Sequence, residues 1–166
     1  RARRRARSTS AAARATIPRS SMSQISELLP TGNILLDLDA GSKSRLFDAV
    51  GALFEANHGL SRQVVVNSLQ AREKLGSTGL GQGIAIPHGK ISSIDRVYGL
   101  FARLSSPIAY DSLDGQPVDL VFVLLAPDHA GADHLKALAR ISRLLRENDT
   151  IAKLRGTDTA EGLYSI

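Results

Sequence analysis

The chain has 166 residues, 43% of them hydrophobic and 22% charged, with a formal net charge of +5. That length suffices for one domain with a buried core, and the balance is expected of a water-soluble globular protein. No apolar run approaches the roughly 18 residues of a spanning helix, so membrane insertion is not expected, and the absence of cysteine excludes disulfides, thiolate metal sites and cysteine nucleophiles.

The charge is uneven along the chain. Arg1, Arg3, Arg4, Arg5, Arg7, Arg14 and Arg19 put seven cations into residues 1–21, where there is no acid; the rest carries 14 cations against 16 acids. Residues 1–21 have no periodic apolar face and are expected to form a disordered basic extension, with the folded domain over 22–166. Three readings of the extension compete. It is a phosphate-gripping arm, a transit peptide of the mitochondrial kind, or a stretch preceding a natural start at Met22. The last is favoured because the fold signals begin only after Met22. An apolar signal-peptide core is absent from it.

Residues 33–39 are a short apolar run ending in acids and read as a strand. Over 42–57, Leu46, Phe47, Val50, Leu53 and Phe54 share one helical face, with Ser42 or Ser44 as the cap and Gly59 past the end. A second helix opens at Ser61 and runs to about Lys74, carrying Val65 and Leu69, and Gly76 terminates it. Residues 76–83 form a glycine-rich loop, and the following segment is extended up to Pro87. Val97–Leu104 and Val118–Ala126 read as strands, the second apolar throughout as if buried on both faces, with a turn cluster over 111–117. A long helix is expected from Asp133, as N-cap, to about Glu147, with Leu135, Leu138, Ile141, Leu144 and Leu145 inward. One or two short helices finish the chain. This mixture predicts an α/β fold: a single domain with a central mixed β-sheet flanked by helices on both faces.

The stretch from Arg72 to Lys90 carries the chemistry. Gly76, Gly79, Gly81 and Gly83 fall within eight residues, and such loops expose backbone N–H groups to anions. A P-loop would end in Gly-Lys-Ser/Thr, but the loop ends in Gly81-Gln82-Gly83. The dinucleotide fingerprint lacks its third glycine, with Ile84 or Ile86 in its place. What remains is His88, held between Pro87 and Gly89. A neutral imidazole is a nucleophile, and beside an anion-receptive loop it is suited to accept a phosphoryl group and hand it on. Arg72 offers a fork of donors for phosphate oxygens. Thr78, with Gly79, Gly81 and Gly83, is the candidate phosphate cradle, and Ser77 is a further hydroxyl. Each has a plainer reading: a turn histidine, a solvated helix arginine, a tight connection. His129, Asp133 and His134 do not have the spacing of a helical metal pair, so no metal is expected. His58 at a helix end is expected only to meet the helix dipole.

The segment Arg72-Glu73-Lys74-Leu75-Gly76 and the motif GSTGLGQGIAIPHGK, from Gly76 to Lys90, resemble the enzyme IIA components of the bacterial phosphoenolpyruvate phosphotransferase system. The resemblance is to the fructose/mannitol class and, within it, the nitrogen-regulatory branch. It extends from about Ser23 to Ile166; the arginine-rich extension departs from the family pattern. The resemblance implies a mixed sheet between helices, a cytoplasmic location and no cofactor. It implies that His88 is the phosphorylated residue, that Arg72 matches the active-site arginine, and that His134 matches the second active-site histidine. It implies a phosphocarrier of the HPr type as donor and signalling by phosphorylation state, with regulatory targets that the residues do not identify. An alternative within the family is a sugar-specific IIA component that passes phosphate to a IIB domain. An alternative of another class is nucleic-acid binding through the basic arm, disfavoured because the body is acidic and aromatics are sparse.

Overall fold

The computed structural model describes residues 29, 31–129 and 131–157. The basic extension, Met22 and the end of the chain after residue 157 lie outside them. Strand β1 (Ile34–Leu38) leads to helices α1 (Lys43–His58) and α2 (Arg62–Lys74). Three short strands follow, β2 (Gly79–Gly81), β3 (Ile84–Ala85) and β4 (His88–Ile91). Two long ones come next, β5 (Tyr98–Ile108) and β6 (Val118–Pro127), and then helices α3 (Ala132–Leu144) and α4 (Asn148–Gly156). The sheet runs β1-β5-β6-β3-β2, with β4 also paired to β6. It is mixed: β5 and β6 are antiparallel, whereas β1 runs parallel to β5, and both β3 and β4 run parallel to β6.

Alternation along β5 and β6 splits the core into two layers. Leu100, Ala102, Val121, Val123 and Leu125 pack with Leu46, Phe47, Val50 and Phe54 of α1 and with Val65, Val66 and Leu69 of α2. Phe101, Leu120, Phe122 and Leu124 face Ile141, Ile151 and Leu154 on the α3–α4 side. Each fully buried valine, leucine, isoleucine or phenylalanine among these contributes roughly 1.5–3 kcal/mol. The single α/β domain with a mixed sheet between helices is thus the expected fold.

Helix starts and stops follow local chemistry. Ser42 accepts the Arg45 N–H at 3.2 Å, Ser61 accepts that of Val64, and Gly59 closes α1 in the left-handed conformation. Three expectations need correction. The glycine loop is partly a β2–β3 hairpin, with Gly79 opposite Ala85 and Gly81 opposite Ile84. Helix α3 begins at Ala132 after Gly131, whose φ of 51° turns the chain with no side-chain cap; Asp133 therefore falls inside the first turn, not at the cap. Leu135 is 66% exposed, and His134, at 5%, takes the inward position. His134, Leu138, Ile141 and Leu145 are spaced i, i+4, i+7, i+11, which is the true inner stripe.

Candidate functional site

His88, Arg72 and His134 meet at one end of the sheet. His88 opens β4, which pairs in parallel with the second half of β6, His88 opposite Leu124. Strand β6 continues through a short connection into α3, so that the first turn of α3 brings His134 beside His88. Their ring centroids are 5.6 Å apart. Arg72 comes from the last turn of α2. Helix α2 packs against β4 at Gly89, where a Cβ would run into the Ser68 side chain; Ser68 Oγ donates to the Lys90 carbonyl at 3.0 Å. Gly89 is thus needed for close approach, and this contact sets how far Arg72 stands from His88.

The hydrogen bonds fix the His88 tautomer. Nδ1 lies 2.9 Å from the Ile86 carbonyl oxygen, which can only accept, so Nδ1 carries the proton. Nε2 then holds a lone pair, and Arg72 Nε donates to it at 3.2 Å. Arg72 Nη1 donates to the Gly76 carbonyl at 2.8 Å. Burial and then the Arg72 charge push the His88 pKa below its ordinary value, outweighing the upward pull of the Ile86 carbonyl and Glu73. Burial, His88 and Lys90 push that of His134 down. His134 Nδ1 is buried and finds no hydrogen-bond partner among the described residues. Ser68, Arg72, Leu75, His88, Lys90 and His134 line an open cleft of about 400 Å³. It presents an unprotonated ring nitrogen beside a guanidinium, a pairing chemically suited to a nucleophile for an electrophile carried on an anion.

Thr78, Gly79, Gly81 and Gly83 are not among the residues lining this cleft. Thr78 is buried and donates its N–H to Glu73 at 3.1 Å, while Gly79 N–H bonds Ser77 Oγ. Gly81 and Gly83 turn the β2–β3 hairpin with φ of 92° and 82°, and the Gln82 N–H between them goes to Asp114. His58 belongs to a separate cluster, bonded to Asn33 and packed at a tilt against the Tyr98 ring. His129 is exposed, and among the described residues no three His, Asp or Glu side chains form a metal-holding group. Sequence reading missed Ser68 and Lys90 at the cleft. The signals were there: Lys90 is two residues from His88 on a strand, and Ser68 is four before Arg72 on a helix, so each shares a face with its neighbour.

Two measurements check the electrostatics. Imidazole NMR is expected to show His88 titrating below 6.5, the ordinary value, with the proton on Nδ1 in the neutral form. Stability has a definite sign. His58, His88 and His134 are all lowered in the fold, so below 6.5 the unfolded chain binds protons first. Folding stability is then lost as pH falls from 6.5 through the depressed values. Denaturation midpoints at roughly pH 7.5 and 5.5 are expected to differ, the acid one lower.

Residues 27–166 match the family model described as "Phosphoenolpyruvate-dependent sugar phosphotransferase system, EIIA 2". The chain is 49% identical over 142 residues to the nitrogen regulatory protein of Bradyrhizobium diazoefficiens, covering 86% of this chain and 93% of that one. It is 40% identical over 146 residues to the nitrogen regulatory protein of Pseudomonas aeruginosa, covering 87% and 95%. The crystal structure of nitrogen regulatory protein IIA-Ntr from Neisseria meningitidis superposes with a TM-score of 0.82 at 42% identity, covering 86% of this chain and 97% of that chain. With the family model spanning most of the sequence, and the same fold found in a relative of this identity, the chain belongs to the EIIA 2 family of the phosphoenolpyruvate-dependent sugar phosphotransferase system.

Proposed function

We propose that this chain is a regulatory phosphoryl carrier that accepts a phosphoryl group on Nε2 of His88 from a phosphorylated HPr-like protein and signals by its phosphorylation state. The observation that carries this reading is the lone pair of Nε2, freed by the Nδ1–H bond to Ile86 and met by Arg72 Nε at 3.2 Å. As the Nε2–P bond forms, the bond to the carrier's nitrogen breaks. Arg72 Nε–H gives up its hydrogen bond to the Nε2 lone pair and turns to the phosphoryl oxygens, while the Ile86 carbonyl steadies the positive character that grows on the ring. His134 completes the cradle. A neutral imidazole keeps one proton, and placing it on Nε2 avoids an orphaned buried N–H at Nδ1, leaving Nε2–H as a donor. Phosphorylation adds close to two negative charges at one surface spot, which changes the partners the surface suits. Such a relay acts in the cytoplasm, where its phosphoenolpyruvate-derived donor is made.

The regulatory role, rather than supply of a sugar permease, is supported by the relatives named above, which are nitrogen regulatory proteins matched over nearly their whole length. The test is incubation with enzyme I, an HPr-like carrier and phosphoenolpyruvate. One phosphoryl group per chain, stable to alkali and labile to acid, is the expected product; a chain that stays unmodified overturns the reading. Adding a IIB domain separates the two roles, because a sugar-specific component discharges onto it and a regulatory one does so poorly.

A further inference from the structure

Glu73 follows Arg72 in the last turn of α2 but reaches different partners. Its side chain is only 8% exposed. Oε1 accepts the Thr78 backbone N–H at 3.1 Å, the Tyr110 hydroxyl at 3.1 Å and the Thr78 hydroxyl. Oε2 accepts Lys43 Nζ at 3.0 Å, and that ammonium sits 4.3 Å from the centroid of the Tyr110 ring. Burial raises the Tyr110 pKa, which keeps the phenol a donor. Four donors from α1, the loop after α2 and the segment just past β5 therefore converge on one carboxylate. A buried carboxylate is costly unless its acceptor sites are met in this way.

The loop tied down by these bonds is the one that holds Arg72. Gly76 N–H bonds the Glu73 carbonyl at 3.1 Å, and the Gly76 carbonyl receives Arg72 Nη1 at 2.8 Å. Two residues further on, Thr78 is bound to the Glu73 side chain by both its N–H and its hydroxyl. The Gly76 end of the segment is held by the Glu73 main chain and the Thr78 end by its side chain, and the guanidinium rests on the Gly76 carbonyl between these two ties while its Nε reaches His88.

We propose that Glu73 is a positioning residue: by anchoring the 75–78 loop it holds the Gly76 carbonyl where Arg72 must dock to place Nε on the reacting nitrogen of His88. This rests on the reading of His88 as phosphoacceptor. Thr78 then serves the site from behind, as a tie for the loop.

The test is a double-mutant cycle on the full chain, with phosphoryl uptake followed in wild type, Glu73→Gln, Arg72→Ala and the double variant. Glu73→Gln is expected to slow uptake roughly tenfold when Arg72 is present, and less than about twofold when Arg72 is already alanine. An equal loss in both backgrounds overturns the proposal, since a carboxylate that only stabilises the fold would act regardless of Arg72. A second readout needs no phosphotransfer: exchange of the Arg72 Nε proton with water, by NMR of the unmodified protein. It is expected to speed up at least about tenfold in Glu73→Gln, and unchanged exchange overturns the positioning role. A chain that takes up no phosphoryl group defeats the reading of His88 alone and leaves the exchange measurement to decide on Glu73. Should Glu73→Gln fail to fold, Tyr110→Phe removes one donor to Oε1 and keeps the ring beneath Lys43. It is expected to give a smaller loss with the same dependence on Arg72, and a loss independent of Arg72 overturns the proposal.

Discussion

Replacing His88 by alanine is expected to abolish phosphoryl uptake, with the rate falling by at least about 10³-fold, to background. The size of the effect follows from what the position supplies. The proposed nucleophile is one ring nitrogen, left unprotonated by the bond on the opposite side of the ring. His134 stands close by, but its Nδ1 is buried, and Arg72 aims its Nε at His88. The fold is expected to survive the change. The side chain is half-buried and makes two hydrogen bonds, so the cost in stability is about 1–2 kcal/mol. A phosphorylated His88→Ala protein, detected by mass spectrometry after incubation with the donor system, would defeat the assignment.

Arg72→Ala is the second large effect, and it moves two observables in opposite directions. Uptake is expected to fall by roughly 10²–10³-fold, the usual result of deleting one donor aimed at developing charge. The His88 pKa rises, because the nearby cation helps to hold it down. The two readouts separate charge from geometry when lysine is placed there instead. Lysine restores much of the positive field. It lacks the planar fork that reaches His88 Nε2 with one nitrogen and the Gly76 carbonyl with another. Arg72→Lys is therefore expected to return the pKa toward its wild-type position while leaving most of the rate deficit. Recovery of the rate together with the pKa would show that a bare cation suffices.

The long apolar run of β6 and the 3.6-residue stripe of α1 were legible because each is decided by residues adjacent in sequence. Strand β5 runs to Ile108, four residues past the expected end. Its tail holds Ser105, Ser106 and Pro107, two of them polar, within an irregularity in the pairing with β6 between Arg103 and Ile108, and that composition reads as a turn. The inner face of α3 was misjudged by one position because a histidine occupies an inward site, and hydropathy alone gives that site to the neighbouring leucine. At the cleft, His88, Arg72 and His134 were legible as residue types in a motif. The partners of Thr78 were not, since Tyr110 lies 32 residues away and only the fold brings it there. Arg103 was equally hidden. It lies 9% exposed within the sheet, with Nη1 on the Leu154 and Arg155 carbonyls at the end of α4, an arrangement that no local pattern announces.

The acceptor that sets the His88 tautomer is a peptide oxygen two positions earlier in the same chain. No substitution of a neighbouring side chain deletes that atom. A tautomer held by a carboxylate or an amide would be lost by a single codon change. Here the choice of ring nitrogen is carried by the path of the backbone across Pro87, and it is insulated from point mutation in the rest of the cleft. With His88 as the proposed acceptor, substitutions at Arg72, Ser68 or His134 are therefore expected to alter how fast Nε2 reacts, while the nitrogen that reacts stays the same.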